Sequence, residues 1–359
     1  MKKIAINGLG RIGKLVFQYL LESSDYGKDF EIVAINDLTN VSQLAYLLKY
    51  DSTQMTMREK GHKISYKLVE LAENEDLKDV CETLQGYLIV DEKEFPIFAQ
   101  PDPTKLPWSI YDVDVVCECT GRFAEYDKAK AHITAGAKHV IVNAPTKGTK
   151  NIVYHVNSDT LDGTEDVICG ASCTTNCLAP LAKILDEGFG IIRGLMTTIH
   201  SYTADQSILD CPHKKGEDSR RGRAAAVSIV PASTGAAEAV AKALPQLKGK
   251  LTGMAMRVPT PTGSVVVFDV ELNGKVNAKQ VNDFLTEEAD NVSLAVTSDP
   301  VVSADIIGIP YGSYVDLQST KVLEDAYEST MVQIVSWYDN ESSYTHQYVN
   351  TLIDWLKLI

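Results

Sequence analysis

The sequence lacks any apolar run long enough to span a bilayer, and it has no internal repeat or low-complexity tract. These absences exclude a transmembrane helix and a repeat architecture. Its seven cysteines are an odd number and show no disulfide-framework spacing. We therefore expect free thiols in a reducing compartment, the cytoplasm. Residues 1–7 predict a strand and not a signal peptide, since no small-residue cleavage site follows.

Basic residues are also scarce, because 34 Lys and Arg face 48 Asp and Glu, for a formal net charge of −14. We expect neither nucleic acid nor an anionic membrane as a partner. A small anionic ligand needs only a local cationic pocket. Cys117 and Cys119 have no accompanying set of Cys or His at zinc-ligand spacing, so no metal is predicted. A length of 359 residues suggests two domains.

The apolar pattern differs between the two halves of the chain. In the first half, short β-rich runs alternate with helical patterns, which predicts a parallel sheet covered on both faces. The predicted strands there are 3–7, 31–36, 113–119, 140–143 and 167–172. The second half has longer strands and fewer helices, which favours an α+β domain on a largely antiparallel or mixed sheet. Its predicted strands are 191–203, 251–259, 264–272 and 331–337, and its predicted helices are 235–244 and 278–289.

A glycine-rich turn follows the first predicted strand and precedes a helix. Gly8 permits a tight turn, Gly10 lets a pyrophosphate approach the backbone, and Gly13 lets helix and strand pack closely. The helix N-terminus offers free N–H groups to the phosphates. Asp37 ends the second predicted strand, where a carboxylate accepts hydrogen bonds from both ribose hydroxyls and repels a 2′-phosphate. The pattern predicts a dinucleotide site that prefers NAD to NADP.

Cys173 lies between an apolar run and a helix-like run, and His200 follows on a later predicted strand. A free thiol has a pKa of about 8.5, but a helix N-terminus and a nearby imidazole both favour the thiolate. The pair is therefore a candidate nucleophile and base. Cys169 and Cys177 are spaced four residues from Cys173 on either side and are compatible with buried, apolar roles.

Residues 70–84 are acidic at first and then place apolar side chains at helical spacing. The favoured interpretation is a surface helix packed on the first domain. A partner-binding face is the alternative.

Six motifs in order resemble the phosphorylating glyceraldehyde-3-phosphate dehydrogenase family, and the resemblance covers essentially the whole chain. They are residues 6–13 (INGLGRIG), 171–177 (ASCTTNC), 197–203 (TTIHSYT), 231–237 (PASTGAA), 251–259 (LTGMAMRVP) and 336–341 (SWYDNE). The resemblance implies a Rossmann doubly wound parallel sheet plus an α+β catalytic domain. It places the NAD-binding domain at 1–172 and 341–359 and the catalytic domain at 173–340.

The family's activity, carried over to this chain, is NAD-dependent oxidation and phosphorylation of D-glyceraldehyde 3-phosphate to 1,3-bisphosphoglycerate, in glycolysis or gluconeogenesis. Cys173 would carry a hemithioacetal and then a thioester, with His200 as base, and inorganic phosphate would cleave the thioester. The implied residues for the two phosphates are Ser172, Thr174, Thr203, Arg221, Thr234, Gly235 and Arg257. The implied residues for NAD are Gly8, Gly10, Arg11, Ile12, Gly13, Asp37, Thr120, Gly121, Asn143, Asn340 and Tyr344. Members of this family usually form homotetramers, so the resemblance implies a homotetramer for this chain.

Several positions depart from the family's pattern. They are Gln54-Met55 in place of His-Gly, a longer segment after it, Gln100-Pro101 in place of Glu-Arg, Asn143 in place of a serine, Ser342-Ser343 before Tyr344, and extra residues at 215–219. None includes Cys173 or His200, so they bear on cofactor affinity and local geometry and not on the class of reaction.

Two other functions fit parts of the pattern. An erythrose-4-phosphate dehydrogenase has a similar fold and releases an acid, but that branch tends to lose the phosphate-binding threonines, whereas Thr203 and Thr234 are present here. An NAD-binding protein retained for regulation or RNA contact is the non-enzyme alternative. Intact Cys173, His200 and Arg257, with the charge of −14, weigh against it.

Overall fold

The structure is a computed structural model that describes residues 1–69, 83–213, 219–323 and 328–359. The chain divides into two compact units. The first contains residues 1–151, 161–170 and 348–359, and the second contains residues 152–160 and 171–347. This division differs from the predicted domains at 152–160, 171–172 and 341–347.

The first unit is built on a sheet of nine described strands, ordered β3-β4-β5-β2-β1-β6-β7-β9-β8. The sheet is parallel from β5 to β8, while β3, β4 and β5 form an antiparallel edge. Its strands are β1 (Lys2–Asn7), β2 (Phe30–Asn36), β3 (Ile64–Leu68), β4 (Leu84–Val90), β5 (Lys93–Phe98), β6 (Val115–Glu118), β7 (His139–Val142), β8 (Lys150–Asn151) and β9 (Val167–Cys169). Its helices are α1 (Arg11–Glu22), α2 (Val41–Lys49), α3 (Tyr126–Ala129) and α4 (Ala131–Thr134).

The second unit is built on a sheet of seven described strands, ordered β11-β12-β10-β13-β16-β15-β14. Its strands are β10 (Ile191–Ser201), β11 (Val230–Ser233), β12 (Leu251–Val258), β13 (Ser264–Asn273), β14 (Leu294–Thr297), β15 (Ser313–Leu323) and β16 (Ser329–Tyr338). The helices are α5 (Cys173–Phe189), α6 (Ala236–Ala243) and α7 (Ala278–Glu287). The last helix, α8 (Ser342–Leu356), begins in this unit and belongs to the first unit from residue 348 onward. Most neighbouring strands pair antiparallel, but β10–β12 and β14–β15 pair in parallel. The predicted fold class is confirmed for both sheets.

The long helix α5 packs its apolar face on the second sheet. Leu178, Leu181 and Leu185 recur at helical spacing and are fully buried, as is Phe268 on β13. This packing holds the first turn of α5, which begins at Cys173, at a defined height above the sheet. Among the described residues, no helix is both long and apolar enough to cross a membrane.

The structure differs from the predicted secondary structure of the first half of the chain. The run predicted as a strand to residue 172 ends at Cys169, because Ser172 caps α5. Residues 70–82 of the predicted acidic helix lie outside the described residues, and Leu84 begins a strand. The three antiparallel strands at one end of the sheet, β3, β4 and β5, were not predicted. The alternating burial of β4 is the period-2 pattern of a half-buried strand.

Candidate active site

A cleft of about 330 Å³ opens in the first unit where β1, β2, β5 and β6 end. In a doubly wound sheet this edge is where ligands bind. Four of the predicted cofactor residues line the cleft: Gly8, Gly10, Asp37 and Thr120.

The three glycines of the turn have distinct geometries. Gly8 has φ +92°, in the left-handed region that favours glycine. A Cβ on Gly13 would lie 1.9 Å from the Gly8 carbonyl oxygen, so only glycine allows α1 to pack there. Gly10 has no atom within 4 Å of its Cβ position and caps α1 without a side-chain hydrogen bond. The backbone N–H groups of this helix start are therefore open to a pyrophosphate, and the turn fits a dinucleotide.

The Asp37 carboxylate is oriented by hydrogen bonds from neighbouring backbone N–H groups. One carboxylate oxygen accepts the Leu9 N–H at 2.7 Å, and the other accepts the Thr39 N–H at 2.8 Å. Each oxygen keeps a lone pair for a further donor. The carboxylate is thereby presented to the cleft in a fixed orientation that suits a ribose diol, so the residues present fit NAD.

The remaining cofactor candidates of the first unit lie elsewhere. Arg11 directs its guanidinium to Asp51 at 2.8 Å and to Thr53 at 2.6 Å. Ile12, Gly121 and Asn143 do not appear in the lining of the cleft. Gln100 and Pro101, two of the departures expected to bear on cofactor affinity, also line the cleft. Lining residues that sequence reasoning missed are Asn7, Asn36, Leu38, Thr39, Pro103, Cys119, Arg122 and Phe123. Most of them come within a few residues of a strand's carboxyl end, and that position was the available signal.

In the second unit, Cys173 and His200 meet directly. The Cys173 Sγ lies 3.4 Å from the His200 Nε2. Cys173 is the first residue of α5, and the Ser172 hydroxyl caps the helix by accepting the Thr175 N–H at 3.2 Å. Ala171 has φ +55°, an uncommon conformation for a residue with a Cβ, and this turn presents the thiol at the helix start.

The other nitrogen of His200 determines its tautomer. Nδ1 lies 2.7 Å from the Ser201 carbonyl oxygen and 2.9 Å from the Arg257 Nη1. The two Nη1 hydrogens have other acceptors in the Ser201 carbonyl and the Thr203 hydroxyl, so Nδ1 carries a hydrogen directed at the Ser201 carbonyl. The lone pair of the neutral ring is then on Nε2 and faces the thiol. Burial, and then the positive charge of Arg257, lower the pKa of His200 to about 3. Burial also raises the pKa of the Cys173 thiol, while the charge of Arg257 acts against that rise.

Arg257 lies beside the Cys173–His200 pair. β10 and β12 pair in parallel with His200 opposite Arg257, which places the guanidinium beside the imidazole. The Arg257 Nη1 donates to the Ser201 carbonyl at 2.9 Å and to the Thr203 hydroxyl at 3.1 Å. Its Nε–H is buried with no hydrogen-bond partner among the described residues. An unsatisfied buried donor beside a nucleophile is suited to an anionic ligand.

Asp205 completes this group and was missed by sequence reasoning. Its carboxylate accepts hydrogen bonds from the Thr203 hydroxyl and from Arg221. Although burial acts to raise its pKa, these two partners hold the pKa of Asp205 below its ordinary value. The structure thus brings Cys173, His200, Thr203, Arg221 and Arg257 into one connected cluster.

The other predicted phosphate residues have separate surroundings. Thr174 is buried, and its hydroxyl lies 3.0 Å from the Tyr338 hydroxyl, which also meets Thr198 at 2.8 Å. Tyr338 and Thr198 were not predicted. Thr234 accepts the Ala236 N–H at 3.2 Å at the start of α6, and the Cβ position of Gly235 faces open space.

The two cofactor candidates near the end of the second unit are both buried. The Asn340 side-chain oxygen accepts the Ser264 hydroxyl at 2.8 Å, which directs its amide N–H₂ away from that contact. The Tyr344 hydroxyl donates to the Ala171 carbonyl at 3.5 Å, beside the turn that presents Cys173.

The neighbouring thiols differ from Cys173. Cys169 and Cys177 are buried, and burial raises the pKa of Cys177 to about 12. Cys177 contacts Ser336 and not an imidazole. Burial likewise raises the pKa of Cys117 to about 12. Of the cysteines that the structure describes, Cys173 is the one with an imidazole partner.

A dinucleotide cleft in one unit and a thiol–imidazole pair beside two arginines in the other define a class of protein, the dehydrogenases that work through a cysteine. Residues 2–126 match the family model for the NAD binding domain of glyceraldehyde 3-phosphate dehydrogenase, and residues 172–340 match the model for its C-terminal domain. The chain belongs to the glyceraldehyde-3-phosphate dehydrogenase family, and NAD is its cofactor.

Curated relatives match the chain along almost its whole length. The glyceraldehyde-3-phosphate dehydrogenases of Clostridium pasteurianum and Clostridium acetobutylicum are each 50% identical over 359 residues, covering 100% of this chain and 99% of theirs. The enzyme of Streptococcus pyogenes is 46% identical over 358 residues, covering 99% of this chain and 98% of its own.

Proposed function

We propose that the protein oxidises D-glyceraldehyde 3-phosphate with NAD and joins the product to inorganic phosphate, giving 1,3-bisphosphoglycerate in glycolysis or gluconeogenesis. The observation that carries this proposal is the 3.4 Å contact between the Cys173 thiol and the His200 Nε2. A nucleophile, its base and two arginines in one cluster provide what covalent capture of a phosphorylated aldehyde requires.

The first half of the reaction uses the thiol and the imidazole. His200 Nε2 takes the thiol proton as the Cys173 Sγ attacks the aldehyde carbon, and it returns that proton to the carbonyl oxygen to give the hemithioacetal hydroxyl. His200 then takes the hydroxyl proton as the carbon is oxidised to a thioester. NAD, when bound, supplies the acceptor for the hydride. Because the Nδ1–H of His200 is held by the Ser201 carbonyl, the ring keeps Nε2 directed at the reacting centre.

The second half uses the anion-binding residues. An oxygen of inorganic phosphate attacks the thioester carbonyl, the carbon–sulfur bond breaks, and Cys173 leaves as the thiolate with an acyl phosphate as product. We assign the substrate phosphate and the attacking phosphate to Arg257, Arg221 and Thr203, with Ser172, Thr174, Thr234 and Gly235. The guanidinium groups suit this because their planar forks bind phosphate oxygens in pairs.

We assign the cofactor role to the glycine turn and Asp37, with Arg11, Ile12, Thr120, Gly121, Asn143, Asn340 and Tyr344. We take 1–172 with 341–359 as the NAD-binding domain and 173–340 as the catalytic domain. The described cysteines form no disulfide, which supports a cytoplasmic location.

The direct test is NADH formation from glyceraldehyde 3-phosphate and NAD, with and without inorganic phosphate or arsenate. Fast turnover that requires the anion is expected. One equivalent of NADH per subunit followed by a stall, whatever the anion, would contradict the phosphorolysis step. No NADH at all would contradict the aldehyde substrate.

Cofactor choice depends on Asp37. In Asp37→Gly the ratio of kcat/KM for NAD to that for NADP should fall by about tenfold or more, since the variant loses a charge-assisted hydrogen bond to the ribose and the repulsion of a 2′-phosphate. Steady-state kinetics with both cofactors measure this ratio.

Asp112→Gly is the matched control for this experiment. Asp112 is an exposed acidic residue of the same unit, outside the cleft lining, with φ +51°, which glycine adopts readily. The control should keep the wild-type ratio. A fixed ratio in Asp37→Gly as well would mean that Asp37 is not the ribose ligand.

We further propose a homotetramer. Apolar side chains around the arginine cluster are strongly exposed in the single chain, Ile208 at 82% and Val227 at 80%, and exposed apolar patches mark association surfaces. Leu209, next to Ile208, is also exposed, at 77%. The double variant Ile208→Ser with Leu209→Ser should therefore have a smaller mass in sedimentation equilibrium than the tetramer expected for the wild type. If the variant kept the wild-type mass, this surface would not be part of the subunit interface.

A further inference from the structure

A buried polar cluster lies directly beneath the dinucleotide cleft. Its centre is Glu118, the last residue of β6, whose side chain is fully buried. One carboxylate oxygen accepts the Thr120 N–H at 2.8 Å and the Thr120 hydroxyl. The other accepts the Asn7 amide at 2.5 Å and lies 3.0 Å from the His132 Nε2. Asn7 and Thr120 both line the cleft, so this carboxylate holds two residues of the cofactor site.

The protonation state of the cluster follows from its donors. The Trp108 indole N–H, which can only donate, lies 3.0 Å from the His132 Nδ1. Nδ1 therefore accepts, and the neutral ring carries its hydrogen on Nε2, directed at Glu118. Four donors surround the two oxygens of Glu118, and a carboxylate can accept all four hydrogen bonds. Among the described residues, the sole basic side chain within ion-pair distance of Glu118 is this neutral His132.

Burying a carboxylate costs free energy when no cation lies nearby, and a bound cationic ligand lowers that cost. The fold indicates which part of the cofactor lies nearest. Asp37 follows β2 and Thr120 follows β6, on opposite sides of β1 and its glycine turn. A dinucleotide with its adenosine ribose at Asp37 and its pyrophosphate at the turn would extend its nicotinamide half toward the Thr120 side. The nicotinamide ring is a cation in NAD⁺ and neutral in NADH.

We propose that Glu118 biases the site toward the oxidised cofactor, because its buried carboxylate attracts the pyridinium ring of NAD⁺ and gains nothing from the neutral ring of NADH. This inference rests on the NAD-binding function proposed above. Glu118 acts across the low-dielectric interior and through Thr120, so it is a positioning residue and does not touch the reacting atoms. The consequence is that NADH leaves more readily than NAD⁺.

The test measures binding and not turnover. Dissociation constants for NAD⁺, NADH and ADP-ribose are determined by calorimetry for the wild type and for Glu118→Gln, which keeps the shape and removes the charge. The variant should bind NAD⁺ about tenfold more weakly, with NADH and ADP-ribose within about twofold of wild type. A tenfold change in the NAD⁺/NADH affinity ratio corresponds to ~30 mV in the potential of the bound two-electron couple.

ADP-ribose is the internal control, since it has no nicotinamide and reports whether the rest of the cleft is intact. Glu94→Gln is the matched variant, because Glu94 is an exposed glutamate on β5 outside the cleft lining and undergoes the same substitution; it should keep the wild-type NAD⁺/NADH ratio. Equal losses for all three ligands in Glu118→Gln, or an unchanged ratio, would overturn the proposal.

The wild type alone also provides a test if Glu118→Gln does not fold. The wild-type protein should bind NAD⁺ more tightly than NADH, and tighter binding of NADH would overturn the proposal. No aldehyde or phosphate is needed, so a protein that binds NAD⁺ preferentially but fails to oxidise the aldehyde would contradict the proposed reaction and not this inference.

Discussion

Cys173→Ser is expected to lower kcat by at least about a thousandfold while NAD still binds. Serine keeps the size of the side chain and the hydrogen-bonding position at the start of α5. Its hydroxyl is a far weaker nucleophile than a thiolate, and an ester would form in place of the thioester. Because the dinucleotide cleft lies in the first compact unit and Cys173 in the second, cofactor affinity and turnover should separate in this variant. Steady-state NADH formation and a calorimetric NAD titration measure the two quantities.

Cys211→Ser is the matched control, since Cys211 is an exposed thiol whose Sγ lies 2.9 Å from the Ser207 hydroxyl and which contacts no imidazole within the described part of the chain. It should retain both activity and the alkylation of Cys173 by iodoacetamide. If Cys173→Ser kept more than a few per cent of wild-type kcat after correction for residual wild-type enzyme, Cys173 would not be the nucleophile.

The dinucleotide cleft was predictable because its parts are local in sequence. A strand, a turn and a helix within about twenty residues carry Gly8, Gly10 and Gly13. Gly8 and Gly13 are sterically constrained in the structure, while Gly10 leaves open space at the start of α1. Asp37 comes at the end of the next strand. The rest of the lining, such as Gln100 and Phe123, belongs to segments distant in sequence, and only the order of strands in the sheet brings them together.

The cysteine–histidine site was predictable in its members but not in its contacts. His200 and Arg257 are neighbours because β10 and β12 pair in parallel with these two residues opposite each other. No local pattern determines that register. Asp205 shows the same limit, since an acidic residue beside a predicted phosphate site gives no sign in sequence that it will bind Arg221 and Thr203.

Thr174 illustrates how packing adds to a motif. The family resemblance implies a phosphate ligand at Thr174, and in the structure its hydroxyl lies beside that of Tyr338, which also meets Thr198 on β10. The motif residue thus joins the first turn of α5 to the two strands beneath it. A sequence motif indicates which residues cluster, whereas the direction of each side chain depends on long-range packing.

The electrostatics of the cluster determine what the imidazole must do. Burial raises the pKa of the Cys173 thiol, so on its own the thiol would ionise only at alkaline pH. His200 has a pKa lowered to about 3 and is therefore neutral at pH 7, with a lone pair on Nε2 that can accept the thiol proton. A base of such low pKa does not hold a free thiolate at rest; it takes the thiol proton as the Cys173 Sγ bonds to the aldehyde carbon.

His200→Asn should accordingly lower kcat by about a hundredfold to ten-thousandfold, the usual contribution of a general base. Alkylation of Cys173 by iodoacetamide should also slow at pH 7, since an asparagine amide cannot take the proton. As pH rises through the raised pKa of the thiol, the variant should regain alkylation, because hydroxide then generates the thiolate directly. Stopped-time alkylation between pH 6 and 10, followed by mass spectrometry of the modified peptide, measures this profile.

His155→Asn is the control for the histidine variant, since His155 is an exposed residue of the second unit that pairs with Asp290 at 2.7 Å. It should retain the wild-type alkylation profile and kcat. If His200→Asn were alkylated at the wild-type rate at pH 7, the imidazole would not be what activates the thiol, and Arg257 with the start of α5 would have to stabilise the thiolate alone. If alkylation slowed but kcat did not change, another group would serve as base during oxidation.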